Sequence, residues 1–143
     1  MNDPFHLQRF LDAQNPVYEQ VLTELRARRK QSHWMWFIFP QMRGLGSSPT
    51  ADYFGISSRA EAEAYWKHAV LGPRLAECAR LVNAVEGISV DRIFGYPDNL
   101  KFHSSMTLFA LIAPEDRVFS EALEKFFRGE PDTRTRDLLE RSI

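Results

Sequence analysis

The sequence predicts an all-α protein, a compact multihelical single domain over residues 1–143 with one buried aromatic segment. Helix caps and Pro, Gly and Ser signals divide the chain into helix-length stretches, and strict alternation of apolar and polar residues is scarce. Hydrophobic residues make up 44% and charged residues 26% of the chain, as in ordinary globular proteins. A chain of this length buries roughly 68–70% of the surface that it exposes when unfolded, so a substantial core is expected.

The first part of the chain predicts two helices. The apolar residues Phe5, Phe10 and Leu11 indicate a short first helix. Asn15 followed by Pro16 is typical of an N-cap with proline at the first helical position. A second helix is therefore expected from there through about Arg29.

The middle of the chain predicts two more helices. Ser58 and Glu61 have the spacing of a capping box ahead of AEAYWKHAV. Gly72 and Pro73 are expected to end that helix and to begin the next, RLAECARLVNAV, which stops near Gly87.

Three further helical segments and a short turn are expected in the last part. Ser89 is expected to cap the short turn VDRIF before Gly95. Asp98 is expected to cap a long helix, NLKFHSSMTLFALIA, that Pro114 ends. VFSEALEKFFRG and RTRDLLERSI then carry the apolar stripes of two surface helices.

The aromatic segment WMWFIF, residues 34–39, is apolar on both faces of a strand, so it is expected to be buried either as a strand or as a helix. If the segment is a helix, Pro40 sets where it ends, because the residue before a proline is pushed out of the α region. Core packing is the simplest interpretation, and Trp36→Ala is then expected to be chiefly a stability variant. Alternatively, the two tryptophans form the apolar wall of a pocket.

The segment leaves its aromatic run through QMRGLGSS. Gly44 and Gly46 permit a backbone that aims several N–H groups at one point, and Arg43 can hold a carboxylate or phosphate bidentately. Gln41 adds a polar side chain to this rim. The pattern is neither a P-loop nor a dinucleotide fingerprint, so a plain flexible turn is the alternative.

A second candidate rim lies in FGYPDNLKFHSSMTLF, residues 94–109. Lys101 is expected in the first turn of a helix, where a cation opposes the macrodipole. A cation at this position becomes favourable if an anion binds at the helix start. Ser104 and Ser105, about one turn further on, would then lie beside the anion. The alternative is that Asp98 only caps, Lys101 points into solvent and the serines let another helix pack closely.

Several classes of function are not expected. The net charge of −1 and the brevity of the basic run 26–30, which suits a helix C-terminus, argue against a nucleic-acid partner. No apolar run is long enough for a membrane helix. The lone Cys78, expected to be buried and unreactive, excludes an internal disulfide and favours the cytoplasm. No cofactor motif, metal-ligand spacing or GxSxG elbow occurs.

The blocks WMWFIFPQMRGLG, YFGISSRAEAEAYWKHAVLGPRL, IFGYPDNLKFHSSMTLF and FFRGEPDTRT resemble the DUF1810 family, whose members sometimes carry the label "calpastatin". This resemblance implies an all-helical single domain without an established activity. Residues 91–95 with Asn99 and Leu100 more faintly resemble the NADAR family, which implies a ligand of the ADP-ribose type and chemistry at an N-glycosidic bond.

These observations together predict a pocket that binds a phosphate-bearing nucleotide or ribose derivative, walled by aromatics that include Trp36. Its rim would be Gln41, Gly44, Gly46 and Ser105, with Arg43 and Lys101 holding one anion. If the protein is an enzyme, Asp91 or Asp98 would position water or stabilise oxocarbenium charge.

The alternative function is a non-catalytic interaction module. A solvent-facing apolar stripe would then bind a protein partner or a second copy of the chain, giving a homodimer. Its residues would be Phe126, Phe127, Leu138 and Leu139.

Overall fold

The computed structural model describes residues 2–142, and its secondary structure is helical as predicted. These residues form ten helices joined by short loops, with a single isolated β-bridge between Met42 and Ile56. The helices are α1 Gln8–Gln14, α2 Tyr18–Arg26, α3 Met35–Ile38, α4 Pro49–Phe54, α5 Arg59–Lys67, α6 Leu71–Asn83, α7 Val90–Phe94, α8 Asp98–Ile112, α9 Val118–Phe127 and α10 Thr133–Arg141.

Helix α8 lies at the centre of the fold. Its residues from 104 to 109 are all buried, which is typical of a helix surrounded by protein rather than of a surface helix. It packs against α3, α5, α7, α9 and α10, and Phe102 and Phe109 reach the aromatic core on either side. The first turn of α8 therefore reaches the surface at the exposed Leu100, whereas the C-cap residue Ala113 at its other end is buried.

The aromatic segment forms the one-turn helix α3, which resolves the choice between strand and helix. Trp34 and Phe39 are buried, whereas Trp36 and Phe37 are half-buried. The prediction that Trp36 belongs to the core is therefore wrong in part: its ring lies against the ammonium group of Lys101, with Nζ 4.5 Å from the ring centroid. The helix ends at Ile38 because Phe39, before Pro40, takes a non-helical backbone.

Glu24 is the hydrogen-bond partner of the buried indole of Trp34. The indole Nε1 donates to Glu24 Oε1 at 3.0 Å, and the backbone N–H groups of Gln31 and Ser32 donate to the same oxygen. Burial raises the pKa of Glu24, but hydrogen bonds from Ser32, Gln31 and Gln20 outweigh it and hold the pKa at about 2. This carboxylate fixes the turn after α2 onto the aromatic core.

Two of the predicted serine caps are confirmed. Ser58 accepts from the N–H of Glu61, and Ser89 accepts from the N–H of Arg92. The side chain of Glu61 binds the backbone of Ser57 instead of closing the capping box onto Ser58. Local capping chemistry was thus sufficient to locate the starts of α5 and α7.

The predicted caps at Asn15 and Asp98 are wrong. Asn15 follows the end of α1, and its side chain accepts from Arg74, so α2 begins later, at Tyr18. Pro97 occupies the N-cap position of α8, and Asp98 is its first residue. The Asp98 carboxylate instead pairs with Lys30, whose Nζ lies 2.7 Å from Oδ2, and the local sequence does not reveal this interaction.

The loop after the aromatic segment is anchored at both ends. The N–H of Arg43 donates to Ile56 and the N–H of Ile56 donates to Gln41, which closes residues 41–56 into a compact unit containing α4. A side chain at Gly55 would stand 2.7 Å from Cα of Arg43, so this closure requires glycine. The loop thereby presents Gln41 and Gly46 at a fixed place beside α8.

The apolar stripe predicted on the last two helices is not solvent-facing. Leu139 is in the core, and Phe126, Phe127 and Leu138 are half-buried and pack against it. This removes the observation on which the interaction-module alternative rested. Within residues 2–142, no helix combines the length and the apolar character needed to cross a bilayer.

Candidate functional site

A cleft of about 270 Å³ lies where the first turn of α8, the start of α10 and the loop after α3 meet. Its apolar lining is Leu45, Gly46, Pro97 and Leu100. Its polar lining is Gln41, Lys101, His103, Ser104, Asp132 and Arg134. Two helices begin at this cleft, so the positive ends of both macrodipoles are directed toward it.

Lys101 is held in the cleft by two neighbours. Its Nζ lies 3.3 Å from Asp98 Oδ1 and 4.5 Å from the centroid of the Trp36 ring. Asp98 is shared with Lys30, whose side chain is buried, so this carboxylate faces two ammonium groups. One carboxylate between two cations leaves local positive charge, which is available to a bound anion.

Asp132 is fixed by hydroxyl donors from two helices. Ser104 Oγ on α8 and Thr135 Oγ1 on α10 donate to Asp132 Oδ2 at 2.7 and 2.5 Å. The N–H of Asp132 in turn donates to Thr107 Oγ1 at 2.9 Å. Among the described residues no group donates to Oδ1, so this oxygen is open to a hydrogen bond from a ligand in the cleft.

Two further side chains complete the polar lining. His103 stacks on Phe127, the ring centroids being 4.0 Å apart, and its Nε2 lies 2.7 Å from the carbonyl oxygen of Glu130. Arg134 is exposed, and its contact with the carbonyl of Gly44 is long, at 3.5 Å. His103 is therefore positioned by the protein, whereas the guanidinium of Arg134 is free to turn toward a ligand.

Four of the residues predicted to bind a ligand line this cleft: Gln41, Gly46, Lys101 and Ser104. Trp36, also predicted to bind a ligand, and Asp98, predicted as a catalytic residue, lie outside the lining, and both contact the ammonium group of Lys101. Gly44, whose φ is 106°, contributes through its carbonyl contact with Arg134.

Three predicted residues lie elsewhere. Arg43 lines a separate cavity of about 320 Å³ beside Arg9 and Tyr53, and its guanidinium donates to the carbonyls of Asp52 and Gly55. Arg43 and Lys101 thus do not converge on one cavity. Asp91 lines another cavity and accepts from Asn99 Nδ2 at 2.8 Å. Ser105 is fully buried, away from the cleft.

Sequence reasoning missed His103, Asp132 and Arg134. His103 lies within the predicted long helix, and Asp132 lies just before the predicted last helix. The local sequence does not indicate that the start of α10 lies beside the start of α8. The long-range bond from Ser104 to Asp132 brings them together. Across the part of the chain that the structure describes, no cluster of His, Cys, Asp and Glu is arranged to hold a metal ion.

The fold and this cleft define a small all-α protein with a polar surface cleft bounded by two helix starts. The chain belongs to the family described as "Protein of unknown function (DUF1810)", which it matches over residues 4–139. This confirms the resemblance seen in the sequence, whereas the relation to the NADAR family receives no support. No curated protein is similar to the chain.

A solved structure is similar over nearly the whole chain. It is the crystal structure of the conserved hypothetical protein Rv1873 from Mycobacterium tuberculosis. The two chains are 57% identical, with a TM-score of 0.95, and the similarity covers 96% of this chain and 99% of the other. The similarity establishes a shared fold and family.

Proposed function

We propose that the cleft binds a small phosphate-bearing ribose compound, such as the ribose phosphate part of a nucleotide or of ADP-ribose. The observation that carries this proposal is the meeting of Lys101 and Arg134 with the acceptor Asp132 in one cleft. The two cations complement a phosphate, and a fixed carboxylate oxygen accepts hydrogen bonds from sugar hydroxyls.

The electrostatics of the cleft favour an anion over a cation. Lys101 shares Asp98 with Lys30, and the two helix starts add partial positive charge. Asp132 is the one carboxylate among the described residues that line the cleft, and it already accepts from Ser104 and Thr135, so it is suited to a neutral hydroxyl donor. Phosphate and hydroxyl groups on one small molecule satisfy both requirements.

The size of the cleft limits what it encloses. Its volume of about 270 Å³ is slightly below the range of roughly 300–1,000 Å³ that is usual for ligand pockets. It therefore suits a ribose phosphate, and a larger nucleotide would project past the exposed side chain of Leu100.

Hydrolysis of an N-glycosidic bond by Asp91 or Asp98 is a separate prediction. Asp91 belongs to another cavity, and Asp98 is occupied by two ammonium groups, so the proposal is one of binding. Chromatography of AMP incubated with the protein tests turnover. Release of adenine that is lost in Asp98→Asn would assign the catalytic role, and unchanged AMP would leave a binding protein.

Calorimetric titration with ribose 5-phosphate tests the binding proposal. Lys101→Ala and Arg134→Ala should each weaken binding by roughly 1.5–3 kcal/mol, the scale of a charge-assisted hydrogen bond. Because both groups would hold one phosphate, their effects should be non-additive. Arg136→Ala is the matched control, since Arg136 is an exposed arginine on the same helix outside the cleft.

Two results would contradict the proposal. One is equal weakening by Arg136→Ala, which would reveal a general charge effect instead of a site. The other is the absence of binding to ribose 5-phosphate, AMP and ADP-ribose alike, which would return the interaction module to consideration.

A further inference from the structure

Four arginines line one open cavity of about 400 Å³ on another part of the surface. Arg26 is the last residue of α2, Arg28 and Arg29 lie in the turn that follows, and Arg92 belongs to α7. Ala27 and Ile88 are the remaining lining residues. We call this set the arginine cavity.

Within residues 2–142, these four arginines form no ion pair. All four are exposed, and among residues 2–142 no carboxylate lies within 4.0 Å of their guanidinium groups. By contrast, Lys30 pairs with Asp98 and Lys125 pairs with Glu86. The chain carries 19 acidic residues, so a shortage of carboxylates does not explain the concentration of unpaired positive charge.

Capping of α2 accounts for only part of the cluster. Cations are favourable at a helix C-terminus, which explains a basic residue at the end of α2. Arg92, however, belongs to a different helix, and it is brought close because the N–H of Lys30 donates to the carbonyl of Ile93 at 2.7 Å. The convergence of the four side chains is thus a property of the fold.

Arg28 stands where glycine is the usual residue. Its φ is 63°, in the left-handed region, directly after the C-cap Ala27, and the N–H of Arg29 closes the turn on the carbonyl of Glu24 at 3.1 Å. A non-glycine residue in this conformation is strained. The left-handed backbone at Arg28 is therefore less favourable than it would be for glycine, and this residue places a guanidinium in the cavity.

We propose that the arginine cavity binds a linear oligophosphate, either free or as the tail of a nucleotide. Guanidinium groups bind phosphoryl oxygens bidentately, and four of them match a multiply charged anion better than a single phosphate. The lining has no aromatic ring to stack on a base and no carboxylate to accept a sugar hydroxyl. Recognition would therefore be of the phosphate chain itself, independently of the ribose phosphate cleft.

Calorimetric titration with sodium triphosphate at low ionic strength tests this proposal. Wild-type protein should bind one triphosphate, and Arg28→Gly should weaken binding by about tenfold or more, as the loss of a charge-assisted hydrogen bond does. The same variant should keep or raise the melting temperature, because glycine relieves the left-handed backbone. Lost binding in a fully stable protein cannot be ascribed to unfolding.

Arg128→Gly is the matched control. Arg128 is also an exposed arginine with a left-handed backbone, φ 57°, at the end of α9 and outside the arginine cavity. It should leave triphosphate affinity unchanged. Lys101→Ala should likewise leave it unchanged, and Arg28→Gly should not alter binding of ribose 5-phosphate, so the two sites are tested separately.

The source of the phosphate chain is distinguished by comparing ligands. Equal affinities for sodium triphosphate and ATP support recognition of a free chain, and tighter binding of ATP supports a nucleotide tail. Equal affinities for orthophosphate and triphosphate would overturn the proposal, as would equal weakening by Arg128→Gly. Tighter binding of a single-stranded oligonucleotide through Arg28 would overturn it in favour of a nucleic-acid surface.

Discussion

Ser104 donates its hydroxyl to Asp132 across a 2.7 Å hydrogen bond that joins the central helix α8 to the start of α10. Thr135 donates to the same carboxylate oxygen at 2.5 Å, and both hydroxyl residues are buried. This arrangement joins the two helix starts at the cleft, and Arg134 follows two residues after Asp132 in its lining.

Removal of the Asp132 carboxylate should destabilise the protein. Asp132→Ala leaves the buried hydroxyl of Thr135 without its acceptor, whereas the Ser104 hydroxyl keeps the carbonyl oxygen of Leu100 at 3.1 Å. The substitution should cost about 1–3 kcal/mol in the free energy of unfolding. Chemical denaturation measures this. Asp137→Ala, an exposed position on the same helix, is the control and should change stability by no more than about 0.5 kcal/mol. Equal stability of the two variants would show that the hydrogen bonds to Asp132 make no net contribution to the free energy of unfolding.

The two tryptophans of the aromatic segment should differ in their contribution to stability. Trp34 is 1% exposed and its indole is bonded to Glu24, so Trp34→Ala should cost about 3–5 kcal/mol. Trp36 is half-buried against Lys101, and Trp36→Ala should cost about half of that or less, since less apolar area is lost. Denaturant unfolding of both variants compares them directly, and a larger loss at Trp36 would contradict the packing described.

Glu24 should make stability depend on pH in the acid range. Its pKa in the folded protein is about 2, below the ordinary value of 4.5, so its stabilisation is present above pH 4.5 and is lost as the pH falls toward 2. Glu24→Gln should be less stable at neutral pH and should lose less stability between pH 4.5 and 2. Glu19→Gln, exposed on the same helix, should keep the wild-type slope, and an identical slope in Glu24→Gln would exclude this role.

Cys78 should be inert in the native protein. The thiol is buried, and burial raises its pKa to about 12, so the reactive thiolate is scarce at neutral pH. Iodoacetamide at pH 7.5 should label the native protein far more slowly than the protein in denaturant, as mass spectrometry would record. Stoichiometric labelling at equal rates in both states would contradict the burial of this residue.

The sequence predicted those features that depend on neighbouring residues. The caps at Ser58 and Ser89 and the all-α class follow from local hydrogen bonding and helical periodicity, and they are confirmed. Helix α4 was missed although Ser48 and Pro49 carry its N-cap and first position, because the glycines before them suggested a loop.

The cleft was predicted only in part because its other components depend on contacts between distant segments. Lys101 and Gln41 lie in it, yet the second cation is Arg134 and not Arg43. The backbone pairing of Arg43 with Ile56 directs its side chain to another cavity. Asp98 similarly does not cap α8 as expected. Its carboxylate forms an ion pair with Lys30, which is distant in sequence and has a buried side chain.

A crystal structure of the protein soaked with ribose 5-phosphate shows directly whether the cleft between α8 and α10 is a ribose phosphate site. We expect the phosphate within hydrogen-bond distance of Lys101 Nζ and the guanidinium of Arg134, with a sugar hydroxyl on Asp132 Oδ1. Ligand bound in the cavity beside Arg43 instead, or an empty cleft in crystals soaked at a concentration that saturates the protein in solution, would contradict it.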